Sequence, residues 1–595
     1  MQPVPIVEDL AVPPDALGDF LPRLQDILRR FELTASFRIH AATGQVHLRP
    51  FLDLQATDLQ DRLWAMADDL YTLALDLGGT ISAQHGTGLA RMPWLARQVG
   101  QLAPVYRELK AIFDPRFLFN PGKIVAPPTH PIVWPLRPRG KSDGRTPLAL
   151  RPVETELAWG DRSPAGEALA CHGCGVCRTE AATERMCPLF RATHLEPATP
   201  RAQANLMRLL LQPDTDPALL ASDAVREVAE LCVNCKMCVI ECPSRVQVPR
   251  LMLEVKAANV ARYGLDRGDW ALSRADSFAW LGSAVAPITN QLLASPVARW
   301  LLERFFGLSR QRRLPRFAAR SFLRLARQRG WTRKPRAGRP RVAYFVDTFA
   351  TYNDPQIAEA VVAVLHHNGV EVYVPPTQRG SGMAALARGD VETAREIVQH
   401  NLRPLADLAR EGFPIVCSEP TAAVMLRQDA LDVLDDADAR LVAEHTVELT
   451  AYLGEMHRQG RLRTDFRPLP VSVGHHVPCH IKALGGAPAG PRLLALVPEL
   501  RVGTIDVSCS GMAGTFGFKQ GWYDVSRAAG RPMLAELARP RYLLGSTECS
   551  ACRLQMEDGT GKRTLHPAQY LALAYGLMPG LLERLREPIG EWVLQ

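Results

Sequence analysis

Eight cysteines fall in two runs whose spacing limits their chemistry. The first is Cys171-x2-Cys174-x2-Cys177-x9-Cys187-Pro188, and the second is Cys232-x2-Cys235-x2-Cys238-x3-Cys242-Pro243. A tight loop with a thiolate at every third residue can wrap three corners of an iron–sulfur cube. The fourth ligand must come from elsewhere, and the proline after it cannot continue the loop's hydrogen bonding. Zinc takes four ligands, usually in two pairs, so three thiols on one loop, twice over, suit it poorly. Where two such runs occur together, the fourth cysteine of one serves the cluster of the other. Cys171, Cys174, Cys177 and Cys242 are therefore assigned to one [4Fe-4S] centre, and Cys232, Cys235, Cys238 and Cys187 to a second. Five further cysteines remain: Cys417, Cys479, Cys509, Cys549 and Cys552. The last four sit beside expected strand ends, and strand ends of open α/β sheets converge on one crevice. They read either as a third metal centre, with His475, His476 or His480 nearby, or as buried thiols acting as small hydrophobes.

The elements that must position these groups follow from periodicity. Residues 14–31 carry an apolar stripe at helical spacing, and strand-like runs follow at 34–39 and 46–51, with a second helix over 59–77 ending at Gly78-Gly79. From about residue 339, strands and helices alternate: strands are expected near 342–346, 370–374 and 414–416, and again near 471–473, 505–507 and 542–544. Corresponding points lie about 130 residues apart, which reads as two α/β lobes from a duplication. The fold class is multidomain: an α+β unit over 1–125, a linker over 126–165, a helical two-cluster domain over 166–250, a helical connector over 251–338, and lobes over 339–455 and 456–595.

At 595 residues, with 47% hydrophobic and 22% charged residues, the chain is a globular polypeptide of several domains, and whole-chain disorder or a coiled coil is excluded. No apolar run reaches the length of a membrane span; the nearest, Phe278 to Leu293, is broken by Gly, Pro, Thr, Asn and Gln. The acidic, proline-rich start is no secretory signal, so a cytoplasmic, reducing setting is expected, with cysteines as ligands rather than disulfides. Arg304 to Arg341 holds thirteen Arg, one Lys and no acid, so that the net +8 becomes −6 without it. Part of this block should be amphipathic helix. It is either a solvated, arginine-coated face or a docking segment for an anionic membrane surface or a partner subunit.

The tail resembles the cysteine-rich (CCG) domains of the family formed by the iron–sulfur subunits of glycerol-3-phosphate dehydrogenase and glycolate oxidase. The residues that carry this are HVPCHIKALG, VSCSGMAGTFGFK, ECSACRLQ and HPAQYLALAYG, behind CHGCGVC…MCP and CVNCKMCVIECP. The resemblance implies a ferredoxin-like two-cluster domain followed by CCG lobes that face the electron acceptor and can hold an additional cluster. The pattern departs at Cys509-Ser510 and at Arg379-Gly380-Ser381-Gly382, so lobe 1 is a degenerate copy and one partial site, Cys479, Cys509, Cys549 and Cys552, is expected in lobe 2. The front resembles the C-terminal cap domain of FAD-linked oxidases of the D-lactate and D-2-hydroxyglutarate dehydrogenase type, on FRIHAATGQVHLRP, GGTISAQHGTGLAR and LKAIFDPRFLFNPGKI.

That second resemblance implies a divalent metal at His40 and His47, where relatives add a Glu that is Gln84 here. It also implies a flavin approached by Asn120, Gly122 and Lys123. Arg49 and Arg91 suit a substrate carboxylate, which a guanidinium clamps bidentately, and His85 suits a general base near neutrality. The order of parts matches fused D-2-hydroxyacid dehydrogenases, without the upstream domain that holds most FAD contacts; no glycine-rich phosphate cradle occurs in residues 1–35. FAD is therefore expected from a separate flavin-binding subunit or domain. The expected role is an iron–sulfur electron-transfer polypeptide that passes electrons from a D-2-hydroxy acid, through flavin and two [4Fe-4S] clusters, to a quinone or another acceptor. It is expected to be peripheral to the inner face of the membrane. The rival is a non-catalytic scaffold or wire that docks a flavoprotein; a nucleic-acid-binding regulator is not expected.

Overall fold

A computed structural model describes residues 2–3, 6–52, 58–125, 154–181, 184–212, 215–336 and 338–584. Most of the expected linker and the last eleven residues lie outside them. Contacts divide the chain into two compact units, Met1–Arg151 with Gln212–Asp214, and Pro152–Leu211 with Thr215–Gln595.

The first unit is built around one long strand. Short strands β1 (Gln2–Pro3) and β2 (Leu10–Ala11) are followed by α1 (Leu17–Arg30), β3 (Ala35–His40) and β4 (Gln45–Leu52). β4 pairs antiparallel with all three other strands. Alternation along β4 sends Val46, Leu48 and Leu52 inward, against Phe20, Leu24 and Ile27 of α1 and Leu63, Leu70 and Tyr71 of α2 (Leu59–Asp76). The same alternation leaves Gln45, His47 and Arg49 on the other face. The turn into β4 depends on Gly44 (φ +65°), where a Cβ would lie 1.8 Å from the Val12 carbonyl oxygen. After a helix at Met92–Val99, helix α3 (Ala103–Phe113) and the turn after it carry exposed Leu109, Ile112, Phe113, Leu118 and Phe119.

In the second unit, helix α4 (Val248–Tyr263) is buried on all sides from Val248 to Ala257. Its Glu254 receives hydrogen bonds from Trp159 Nε1 (2.9 Å) and the Glu156 amide (2.6 Å), which holds the chain entering the cysteine domain. After a helix at Arg267–Ser273 come three more short helices, α5 (Ala275–Ala284), α6 (Ala286–Ala294) and α7 (Pro296–Phe306).

The arginine block is helical in part: Arg304 belongs to α7 and a further helix spans Phe322–Gln328, while residues 307–321 of the connector, expected to be helical, form a strap. Gly307 caps α7 in the left-handed region and Pro315 interrupts the next turn. Arg312 is fully buried, donating to the Gly517 carbonyl (3.0 Å) and Asp558 (3.0 Å). Much of the block is thus committed to internal partners: Arg310 to Glu303, Arg313 to Asp558, Arg329 to Glu359 and Arg339 to Glu371.

The two lobes carry parallel sheets of one topology. Lobe 1 has β5 (Arg341–Phe345), β6 (Glu371–Tyr373), β7 (Ile415–Cys417) and β8 (Thr446–Glu448). Lobe 2 has β9 (Ser472–His476), β10 (Arg501–Ile505), β11 (Leu544–Ser546) and β12 (Thr564–Leu565). Their orders are β6-β5-β7-β8 and β10-β9-β11-β12. The strand expected at 505–507 ends at Ile505, and the edge strands β8 and β12 lie where no strand is expected from the sequence. One apolar core runs through both lobes, joining Tyr344, Val361 and Leu365 to Val473, Leu493 and Leu571.

Candidate metal centres

Each cysteine loop turns on left-handed residues: Gly173 and Gly175 in the first, Asn234 and Lys236 in the second. Such turns let thiols three residues apart face one point. All thirteen cysteines are free thiols. Cys187 lies against the second loop. Its thiol is pushed up to about 12 by burial and then by the charge of Cys232. It acts in turn on Cys235 and Cys238, and Cys242 also acts on Cys238. Burial raises Cys177 first, with Cys171 and Cys174 adding to the shift. Clustered thiols that resist ionisation alone form a donor set that fits a cationic iron–sulfur core.

Lobe 2 gathers the other thiols at the carboxyl ends of its strands. Cys479 opens the helix after β9, Cys509 lies on the loop after β10, and Cys549 caps the helix Ser550–Thr560, whose first turn carries Cys552. Ser510 Oγ donates to Cys552 Sγ (3.1 Å) and the Gly511 amide to Cys509 Sγ (3.3 Å). A hydrogen bond from Cys509 lowers Cys479 to about 6, against burial and with help from Arg185; Cys509 is pushed up as the proton's holder.

Arg185, which no sequence motif marks, is 1% exposed and bridges the two domains. It donates to the Val477 carbonyl (2.7 Å), reaches Cys479 Sγ (4.0 Å) and pairs with Asp506. Cys235 of the second loop is raised by burial and then by Cys479. The second loop therefore faces the lobe 2 thiols.

The histidines near this crevice divide by partner. His480 is spent on Thr421 Oγ1 (3.0 Å) and the Asn234 carbonyl (3.1 Å), so it seats the cysteine loop, as does Lys236 on Asp429 (2.5 Å). His475 contacts Ser546 Oγ (3.1 Å) and Glu548 (3.4 Å). His476 is fully buried with both ring nitrogens unpartnered, and burial followed by Arg185 pushes it well below the usual imidazole range. Cys417 stands apart in lobe 1, pushed up by burial and Glu448.

In the first unit, antiparallel register sets His40 opposite Gln45, Arg38 opposite His47 and Ser36 opposite Arg49. Ligand atoms of Asp9, His47 and His85 lie within 4.8 Å of one another. The buried Asp9 carboxylate also receives the Gln84 and His85 amides (both 2.9 Å). His47 Nδ1 meets the Glu8 carbonyl (2.8 Å), His85 Nδ1 meets Glu8 Oε1 (3.1 Å), and the two rings stack at 5.2 Å. His40 stands beyond the trio, its ring 5.6 Å from that of His47. Gln84 turns its oxygen to Gln45 Nε2 (3.2 Å). Arg91 is 5% exposed and donates to the Gly86 carbonyl (2.6 Å), whereas Arg49 is exposed. Asn120, Gly122 and Lys123 form an exposed or half-exposed turn. Beneath it Asp114 accepts from Lys110, Leu118 and Phe119. Asp9 has no signal in sequence, since it is isolated from the histidines by 38 residues or more.

Three domain families match the chain in order. Residues 1–124 match FAD linked oxidases, C-terminal domain; residues 167–246 match the 4Fe-4S dicluster domain; residues 342–427 and 473–557 each match the cysteine-rich (CCG) domain. One subunit of the anaerobic glycerol-3-phosphate dehydrogenase of Escherichia coli (strain K12) is 28% identical over 311 residues, covering 51% of this chain and 76% of that protein. The D-2-hydroxyglutarate dehydrogenase of the same organism is 24% identical over 626 residues, covering 96% of this chain and 59% of that protein. A glycolate oxidase subunit of Bacillus subtilis (strain 168) is 30% identical over 127 residues, 21% of this chain and 27% of that protein. The chain thus spans a little over half the length of the D-2-hydroxyglutarate dehydrogenase it matches. These similarities support an oxidoreductase polypeptide with an iron–sulfur electron-transfer role. Among the described residues, no helix is long and apolar enough to cross a membrane.

Proposed function

We propose that this chain is the electron-transfer polypeptide of an FAD-dependent D-2-hydroxyacid dehydrogenase, with FAD held mainly by a separate domain or subunit. The observation that carries this is the seating of the second cysteine loop against the lobe 2 thiols, with Arg185 between them. When bound, two [4Fe-4S] clusters would supply single-electron relay between flavin and acceptor. Cys171, Cys174, Cys177 and Cys242 would hold one, Cys232, Cys235, Cys238 and Cys187 the other, and Cys479, Cys509, Cys549 and Cys552 a third centre.

In the first unit, exposed Arg49 offers a clamp for the carboxylate of the hydroxy acid. Arg91 instead positions the Gly86 loop. Glu8 holds His85 Nδ1, leaving Nε2 to take the hydroxyl proton. Asn120, Gly122 and Lys123 would face the flavin. The acceptor is a quinone or another carrier, met at the inner face of a membrane.

Two observations favour second readings. The exposed Ile112, Phe113 and Phe119 suit a wire subunit that docks a flavoprotein by this face. The Asp9–His47–His85 donor set suits a divalent cation, with His85 as ligand rather than base.

Anaerobically purified protein should contain about eight irons for two cubanes, or about twelve with a third centre. D-2-hydroxyglutarate, D-lactate or glycolate with a dye acceptor should give turnover once the flavoprotein is added. Turnover by the chain alone would refute the wire reading. Chelator-sensitive turnover that His85→Gln abolishes together with metal content would make His85 a ligand. Zinc in place of iron would overturn the whole assignment.

A further inference from the structure

The segment 277–302 contains a single charged residue, Arg299, in 26 residues. In the second unit it forms most of α5, α6 and α7, and its polarity is inverted. Apart from the exposed Ser277 and Gln291, its polar side chains turn toward the protein: Ser283 donates to the Ala318 carbonyl (2.7 Å). Asn290 grips Phe317 from both sides, donating to its carbonyl (2.9 Å) and accepting from its amide (2.8 Å). Arg299 donates inward to the Arg312 carbonyl. The apolar side chains face out. Trp280 is 62% exposed, Ile288 63%, Leu292 57%, Val297 67% and Trp300 50%. A helix packed on a water-soluble protein shows the opposite pattern. An exposed apolar face of this extent marks an interaction site.

We infer that α5–α7 form a monotopic docking surface for an anionic lipid bilayer. Charge selects this occupant. No acid lies between Ser277 and Leu302, and exposed Arg262, Arg267 and Arg304 flank the apolar face; of the acids next to it, Asp276 accepts from Thr348 and Glu303 pairs with Arg310, which leaves Asp266 exposed. A second copy of the chain would bring the same cationic rim against itself, whereas anionic headgroups complement it. Trp280 and Trp300 have the amphipathic rings that settle at the headgroup level. The helices have 10, 9 and 11 residues, each about half the thickness of a bilayer core, so they lie in the interface rather than cross it. Between α6 and α7 an open cavity of about 690 Å³, lined by Leu292, Leu293, Leu301, Leu302 and Phe305, has room for a hydrocarbon chain. The docking surface is thus the apolar face beside the arginine block, most of which is committed internally.

The test is flotation of the anaerobically purified, full-length protein with vesicles. With equal parts phosphatidylcholine and phosphatidylglycerol, the protein should float, and pure phosphatidylcholine should retain much less. Ile288→Glu with Val297→Glu, both at exposed positions that leave the core intact, should lower the bound fraction at least about tenfold. Arg267→Ser with Arg304→Ser should abolish the preference for the anionic vesicles. Iron content measured on the same samples separates lost docking from lost electron transfer. Protein that stays unbound overturns the proposal. Equal flotation of the Ile288/Val297 variant also overturns it, as does a dimer that the variant turns monomeric without any flotation.

Discussion

Lobes 1 and 2 share strand order and a common core, yet among the described residues only lobe 2 gathers several cysteines at its strand ends. Aligned by the ends of β5 with β9 and β7 with β11, and by the left-handed glycines of the loops between, lobe 1 has Thr348, Gly380, Pro420 and Ala423 where lobe 2 has Cys479, Cys509, Cys549 and Cys552. Both loops keep the left-handed glycine, Gly382 (φ +87°) and Gly511 (φ +84°). In lobe 1 the crevice is plugged. Asp276 of α5 accepts from Thr348 Oγ1 (3.0 Å), and a Cβ on Gly380 would lie 2.7 Å from that hydroxyl. In lobe 2 the same crevice receives Arg185 and Cys235. Lobe 1 closes its crevice with a connector side chain while meeting the cysteine domain through Asp429, and lobe 2 opens its crevice to that domain. Function follows what packs on the crevice, not the sheet beneath it.

Several experiments can break or sharpen this contrast. The largest effect should come from Cys479→Ser with Cys509→Ser, which should remove about four irons per chain, while Cys417→Ser in lobe 1 removes none. Equal losses from both lobes, or none from lobe 2, would dissolve the distinction. Next, Arg185→Gln should lower the midpoint potential of the adjacent centre by roughly 100 mV, because a fixed positive charge beside the thiolates is lost, and Arg185→Lys should restore most of it. Redox titration followed by EPR reads this, and an unchanged potential would reduce Arg185 to a structural tie.

A smaller effect concerns the acids buried between the lobes. Burial, and then Glu548, raises Glu448 to about 8, and burial followed by Asp347 raises Glu419 to about 7. These carboxyls hold protons in the folded state that the unfolded chain releases, so their contribution is complete below the ordinary Glu value and is lost as pH rises toward 8. His566, His476 and His480 oppose this, since burial holds all three below the usual imidazole range and the unfolded chain binds their protons more readily as pH falls. Burial raises Asp347, Asp432 and Glu557 as well, so the raised carboxyls outnumber the depressed imidazoles and thermal stability should decline from about pH 5 to about pH 8. Glu448→Gln should flatten the slope in calorimetry; an unaltered slope counts against the buried acid. Smallest of all, Asp276→Ala should cost lobe 1 about 1 kcal/mol of stability and leave the iron content untouched.

The legible part of this molecule is local. The two cysteine loops, the α1 stripe, the alternation of β4 and the duplicated strands each depend on residues a few positions apart. Their spacing is enough to set which side chains share a face or a loop. The strap at 307–321 departs from the helix expected there because arginine suits a helix as well as a buried ion pair, and only Asp558, 246 residues after Arg312, decides between them. Asp9 is hidden for the same reason: its partners are His47 and His85, and no period links them.

Thiol spacing by itself determined that this chain carries two three-cysteine loops, each followed by a fourth cysteine ahead of a proline, and covalent geometry limits what such loops can hold. Tertiary structure alone decided that Cys235 faces Cys479, that Arg185 stands between the domains, and that the apolar side chains of α5–α7 turn outward. Those outcomes depend on which surfaces pack together, and packing between residues hundreds of positions apart leaves no local pattern to read.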